Sequence, residues 1–127
     1  MHESRPGGTA RVLDPHEAFL RVQAVHAAHP EITVCGIAGP GDALANAAAT
    51  FETFSRIHEA FPELLLCLST NGLALPEHVE TICALDISHV TVTVNAVDPV
   101  CIERLYARIK TESIRVSYAE RLEQAAF

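Results

Sequence analysis

Three short apolar runs, each closed by a polar turn and followed by a helix-like stretch, leave this chain few folds to choose from. The runs are Ile32–Ala38, Leu64–Ser69 and His89–Val94, rich in β-branched and aliphatic residues. Strands that alternate with helices pair in parallel through right-handed crossovers, so the pattern predicts an α/β fold with three strands. The C-terminal ends of such strands lie side by side on one edge of the sheet. Here those ends read Gly39-Pro40-Gly41-Asp42, Ser69-Thr70-Asn71-Gly72 and Asn95-Ala96-Val97-Asp98. Open and barrel-shaped α/β folds build their ligand sites at this edge.

The helices are marked by their ends. Residues 1–13 are turn-rich and read as a loop. Asp14-Pro15-His16-Glu17 is a helix start, with Asp14 as N-cap, proline at the first position and Glu17 placed for a capping box. The stripe of this helix is Ala18, Leu20 (beside Phe19), Val22 and Val25, and His29-Pro30 ends it. His26 and His29 lie one turn apart and, without a third ligand nearby, read as solvated helix residues. A second helix is expected over Ala47–Phe61, with Asn46 as N-cap, a core face of Phe51, Phe54, Ile57 and Phe61, and an exposed Glu52–Arg56 pair. A third spans Pro76–Leu85, with Val79, Ile82 and Leu85 inward. The Asp98-Pro99 start leads to a fourth over Val100–Ile109. A last one over Tyr118–Ala126 has the weakest pattern. The unbroken apolar run Leu64–Ser69 predicts a strand buried on both faces. One domain over residues 14–110 and a tail over 111–127 follow.

Charge narrows the partners. Nine basic residues, eight of them arginine, face sixteen acidic ones in a chain of 127, for a net charge of −7. That balance argues against a broad nucleic-acid or anionic-membrane surface. No apolar run approaches a membrane span and the first residues contain no signal-peptide core, so the expected location is the cytoplasm. Cys35, Cys67, Cys83 and Cys101 form no C-x-x-C pair, and the plain reading is four thiols acting as small hydrophobes.

The strand-end edge offers backbone amides, the side-chain amides of Asn71 and Asn95, the hydroxyls of Ser69 and Thr70, and the Asp42 carboxylate. That set suits a small polar molecule with amino, carboxylate and ribose groups. It contains no paired acid and base, no Ser-His-Asp order and no phosphate-loop lysine. The spacing of Gly36, Gly39 and Gly41 is not that of a dinucleotide fingerprint. The same residues equally well cap helices and close turns. Asn46 and Asp98 are assigned to capping, while Asp42, Ser69 and Asn71 stay open between the two roles.

Four blocks carry a family resemblance. They are Glu3-Ser4-Arg5-Pro6-Gly7, Gly36-Ile37-Ala38-Gly39-Pro40-Gly41-Asp42 with Leu44-Ala45-Asn46, Cys67-Leu68-Ser69-Thr70-Asn71-Gly72-Leu73, and His89 through Pro99. In this order they resemble the radical S-adenosylmethionine maturases of nitrogenase cofactor assembly, the NifB family, over residues 2 to about 106. The resemblance implies a partial radical-SAM-type β/α barrel, of which this chain supplies about three β/α units. It implies a [4Fe-4S] cluster and S-adenosylmethionine as cofactors and iron–sulfur clusters as substrates, fused with a carbide into a precursor of the iron–molybdenum cofactor. By the same resemblance Gly39, Pro40, Gly41 and Asp42 receive the methionine part of the cosubstrate. Ser69 and Asn71 meet its ribose side, Asn95 sits at the next strand end, and Cys67 is a ligand to a substrate cluster. Glu3 and Arg5 line the same cavity, and Cys35 stays a core residue.

The departures also carry expectations. Family members hold their catalytic cluster with a C-x-x-x-C-x-x-C motif, and these 127 residues contain none. After about Tyr106 the resemblance ends. The expectation is a fragment inactive alone, which works only if a second polypeptide supplies the missing barrel parts. The alternatives are a non-catalytic remnant and a small nucleoside-binding α/β module. Unpaired sheet edges predict association or marginal stability.

Overall fold

A computed structural model describes residues 11–39, 41–98 and 101. Its elements are α1 (Pro15–Ala28), β1 (Val34–Ile37), α2 (Ala47–Ala60), β2 (Leu65–Thr70), α3 (Val79–Ala84) and β3 (His89–Val92). The three strands form one parallel sheet in the order β1-β2-β3. This is the α/β architecture that the alternation of runs predicts. Pro40, Glu3, Arg5, the helix over 100–109 and the tail over 111–127 lie outside the described residues.

The α1 start forms as read. The Asp14 carboxylate accepts from the Glu17 amide at 2.8 Å, and the Glu17 side chain accepts from the Asp14 amide. The stripe, however, is rotated. Leu20 and Val25 are largely exposed, while Phe19 and Val22 pack against the core. His26 joins them. Its ring stands edge-on to Phe61 with centroids 4.7 Å apart, its Nε2 lies 3.3 Å from Glu63, and its Nδ1 is buried without a partner among the described residues. His26 is therefore a packing residue and not a solvated one, because α1 meets α2 through rings: Phe19 also lies 6.4 Å from Phe61.

Helix α2 carries the core. Phe54 and Ile57 are fully buried beneath Leu66 and Leu68 of β2, with Leu44, Leu64 and Ile82 completing the cluster. Phe51 and Phe61 pack at its margins. The Glu52–Arg56 pair forms on the exposed side at 2.7 Å. Asn46 precedes α2 but makes no side-chain cap hydrogen bond; the chain enters α2 through a 3₁₀ turn, Ala43–Asn46, capped by Asp42. The third helix is broken. A 3₁₀ turn over Leu75–Glu77 leads through a non-helical His78 into the six-residue α3, where Ile82 is buried and Val79 exposed.

Burial alternates along β2. Leu66, Leu68 and Thr70 are buried against the helices, while Leu65, Cys67 and Ser69 turn to the other face, where Leu65 remains 45% exposed. The two-sided burial expected of this run is thus one-sided among the described residues. Its apolar sequence alone could not tell a covered face from an open one.

Candidate functional site

The turn that follows β1 is tied to the end of β2 by one carboxylate. Asp42 accepts from its own turn through the Leu44 amide at 2.9 Å. It accepts from the Thr70 hydroxyl, which lies 3.0 Å from each carboxylate oxygen, and from the Asn71 amide. Thr70 is 4% exposed and its hydroxyl in turn accepts from the Gly72 amide at 3.2 Å. The Asn71 side-chain oxygen, Oδ1, closes the same corner by accepting from the Leu73 amide at 2.9 Å. Two glycines make the bends possible: Gly41 has φ +119° and Gly72 φ +81°, a region L side chains rarely adopt.

Asp42 thus acts as a cross-link between strand ends, and the Asn71 side chain as a turn-former. The turn chemistry left open beside the ligand role is present for both residues. What remains for a ligand is the edge that this cross-link shapes. Space around Gly39 and Gly41 is open, since a Cβ built on either would meet nothing within 4 Å. Ser69, half-buried, belongs to the outward-turned face of β2. Asn95 lies just past β3 at the same end of the sheet. The ladder continues beyond β3 by a bond from the Thr93 amide to the Thr70 carbonyl at 2.9 Å, which holds the third strand end in line with the second.

A cavity of about 530 Å³ lies on the other face, between α1, β1 and α2. Cys35, Ile37, Val22 and Ile57 line it, Arg11 and Arg21 contribute, and its far end reaches Gly39, Gly41 and Asp42. Burial pushes the Cys35 thiol up, which keeps it neutral, as expected of a core cysteine.

The cysteines do not converge. Cys35 faces the helices, Cys67 the opposite side of the sheet, and Cys83 is exposed on α3. Among the described residues no group of three or more His, Cys, Asp or Glu side chains is placed to hold a metal ion. Two residues gain a more definite place than the sequence alone assigned them. Thr70 does so as the buried partner of Asp42. His89 does so because it aligns with Cys67 across β2 and β3. The first is a side-chain contact across 28 positions and the second a matter of strand register, and neither is visible in a single strand's composition.

No protein-family model matches the chain. It is similar to the FeMo cofactor biosynthesis protein NifB of several bacteria. Identity is 50% over 114 residues with that of Herbaspirillum seropedicae, covering 90% of this chain and 22% of that protein. It is 51% over 105 residues with that of Azotobacter vinelandii (83% and 21%) and 45% over 119 residues with that of Klebsiella pneumoniae (94% and 25%). The chain spans about a fifth to a quarter of the length of these curated relatives. No helix among the described residues is long and apolar enough to cross a membrane.

Proposed function

We propose that this chain is a NifB-type segment whose strand-end edge forms part of an S-adenosylmethionine site used in FeMo cofactor biosynthesis. The observation that carries the reading is the Asp42–Thr70–Asn71 cross-link. It joins two of the blocks by which the chain is similar to NifB proteins into one preorganised corner. A corner of this kind holds backbone amides and the Ser69 hydroxyl in place before a ligand arrives, which lowers the ordering cost of binding.

In this reading the turn at Gly39, Pro40 and Gly41 takes the amino and carboxylate ends of the methionine moiety, and Asp42 fixes the shape of that turn. Ser69 and Asn71 meet the ribose side, with Asn95 at the neighbouring strand end. The open space at Gly39 and Gly41 supports close backbone approach. The iron–sulfur clusters that the family processes are substrates, approached through Cys67.

A resident [4Fe-4S] cluster does not fit the donors of this chain. Such a cluster takes several thiolates at once, and Cys35, Cys67 and Cys83 stand on different surfaces. The segment is therefore inactive alone, and radical chemistry requires cluster ligands from elsewhere. The test is anaerobic incubation of the full chain with iron, sulfide, S-adenosylmethionine and a strong reductant, alongside equilibrium binding of S-adenosylmethionine. The expected result is measurable binding, weakened by Thr70→Val, with no 5′-deoxyadenosine formed. Binding that is undetectable, or cleavage by the chain alone, overturns the reading.

A further inference from the structure

The cavity between α1, β1 and α2 measures about 530 Å³, a size usual for a small-molecule site. It lies on the helix side of the sheet and its body is aliphatic. Val22, Cys35, Ile37, Ala49 and Ile57 line it, and no aromatic ring among the described residues does. It therefore offers no stacking platform to a nucleobase. Most of the polar side chains around it are already engaged. The Thr50 hydroxyl donates to the Ala43 carbonyl and that of Thr53 to the Ala49 carbonyl, each at 2.8 Å. Asp42 belongs to the strand-end cross-link, and Arg11 pairs with Glu17. Two remain. Arg21 on α1 and Asn46 at the entry to α2 line the cavity from its two helical walls, and neither side chain has a hydrogen-bond or ion-pair partner among the described residues.

We propose that this cavity is a binding site for a medium-chain aliphatic carboxylate, with the carboxylate on the Arg21 guanidinium and the alkyl chain along the aliphatic walls. Each part of that ligand answers an observation. The uncommitted cation selects an anion, and a planar guanidinium takes a carboxylate through two parallel hydrogen bonds. With a net charge of −7 the chain as a whole repels anions, so the selection rests on this one local group. Arg21 is exposed, so its guanidinium stands at the mouth and the ion pair forms without burying a charge. The walls behind it carry neither ring nor charge, which suits an alkyl chain. Cys35 keeps to that pattern, because burial pushes its thiol up and holds it neutral. Asn46 leaves an amide for a second polar contact at the other wall. The far end of the cavity reaches Gly39, Gly41 and Asp42, yet the inference stands apart from the function proposed above and does not rest on it.

Cys35 supplies the readout, since a chain lying along the cavity covers its thiol. The test adds octanoate to the full chain and follows alkylation of each cysteine by peptide mass mapping, with 1-octanol as the uncharged comparison. Octanoate is expected to slow alkylation of Cys35 and to leave the exposed Cys83 and Cys101 unchanged. Octanol, which lacks the charge-assisted bonds, should need a concentration about tenfold or more higher. Arg21→Gln should raise the octanoate requirement by the same factor and leave that of octanol unchanged. Ala49→Leu, which fills the cavity, should abolish protection by both. Arg21 is exposed and Ala49 only half-buried, and far-UV circular dichroism checks that each variant folds. Equal protection by octanoate and octanol, wild-type protection in Arg21→Gln, or protection that survives Ala49→Leu overturns the proposal. So does protection competed away by S-adenosylmethionine, which would assign the cavity to the strand-end site. A Cys35 that is shielded without octanoate and freed on dilution also overturns it, because a second copy of this chain would then fill the cavity. A chain that binds octanoate in the expected way but not S-adenosylmethionine keeps this site and rejects the function proposed above.

Discussion

Asp42 accepts hydrogen bonds from Leu44, Thr70 and Asn71, and its removal takes this acceptor from all three donors. An unsatisfied, partly buried donor costs about 1–3 kcal/mol, so Asp42→Ala should lower the unfolding free energy by at least that amount in a urea titration. Thr70→Val should cost less, because the Leu44 and Asn71 amides keep their acceptor. A second expectation concerns Cys35. Burial raises its thiol pKa, so the folded state favours the neutral form. The associated stability is fully present below the unfolded thiol's pKa and is lost as pH rises through the folded value. Near neutral pH its alkylation should lag behind that of the exposed Cys83 and Cys101, as followed by peptide mass mapping; equal rates would contradict its burial. At this scale residue types were legible and partners were not. The sequence marks Gly39, Gly41 and Asp42 as a ligand turn, but nothing local says that the Asp42 carboxylate is engaged by a threonine 28 positions away.

Elements were legible where their signals are local. The α1 capping box lies within four residues and forms as read, so Asp14→Ala should cost about 1 kcal/mol and some helical ellipticity. The face of α1 was misjudged because a count of aliphatic residues passes over histidine, whereas His26 packs its ring on Phe61. The third helix is shorter than the Pro76–Leu85 pattern predicts for a related reason. Pro76 suits the first turn of a helix, yet here it opens a 3₁₀ turn, and His78 at φ −124°, ψ 5° breaks the continuation while its ring packs 5.3 Å from Phe51. Tertiary contact outweighed propensity in both cases. The core face of α2 was plain from its three- and four-residue spacing. Phe54→Ala, at a side chain with no exposure, should cost about 3–5 kcal/mol and unfold the chain at ordinary temperature.

The described residues form a parallel sheet with helices against one face, and the other face bears on how the chain behaves in solution. β1 and β3 each have one strand neighbour among the described residues, so their outer edges present unpaired backbone groups. Val34 and Leu65 are register partners on the open face, 50% and 45% exposed, and they form an apolar row directly beside Gly36 and Cys67. Burying such surface returns about 25 cal/mol for each Å² removed from water, a drive toward contact with another apolar surface. The chain should therefore self-associate, with the mass measured by sedimentation equilibrium rising across a concentration series. Leu65→Lys should suppress the rise, since it places a charge in the middle of that row. Val79→Lys, at an equally exposed position on α3, should leave it unchanged and so separates a specific face from general stickiness. A chain that stays monomeric throughout, or two lysine variants that act alike, would mean that the open sheet face is not what drives association.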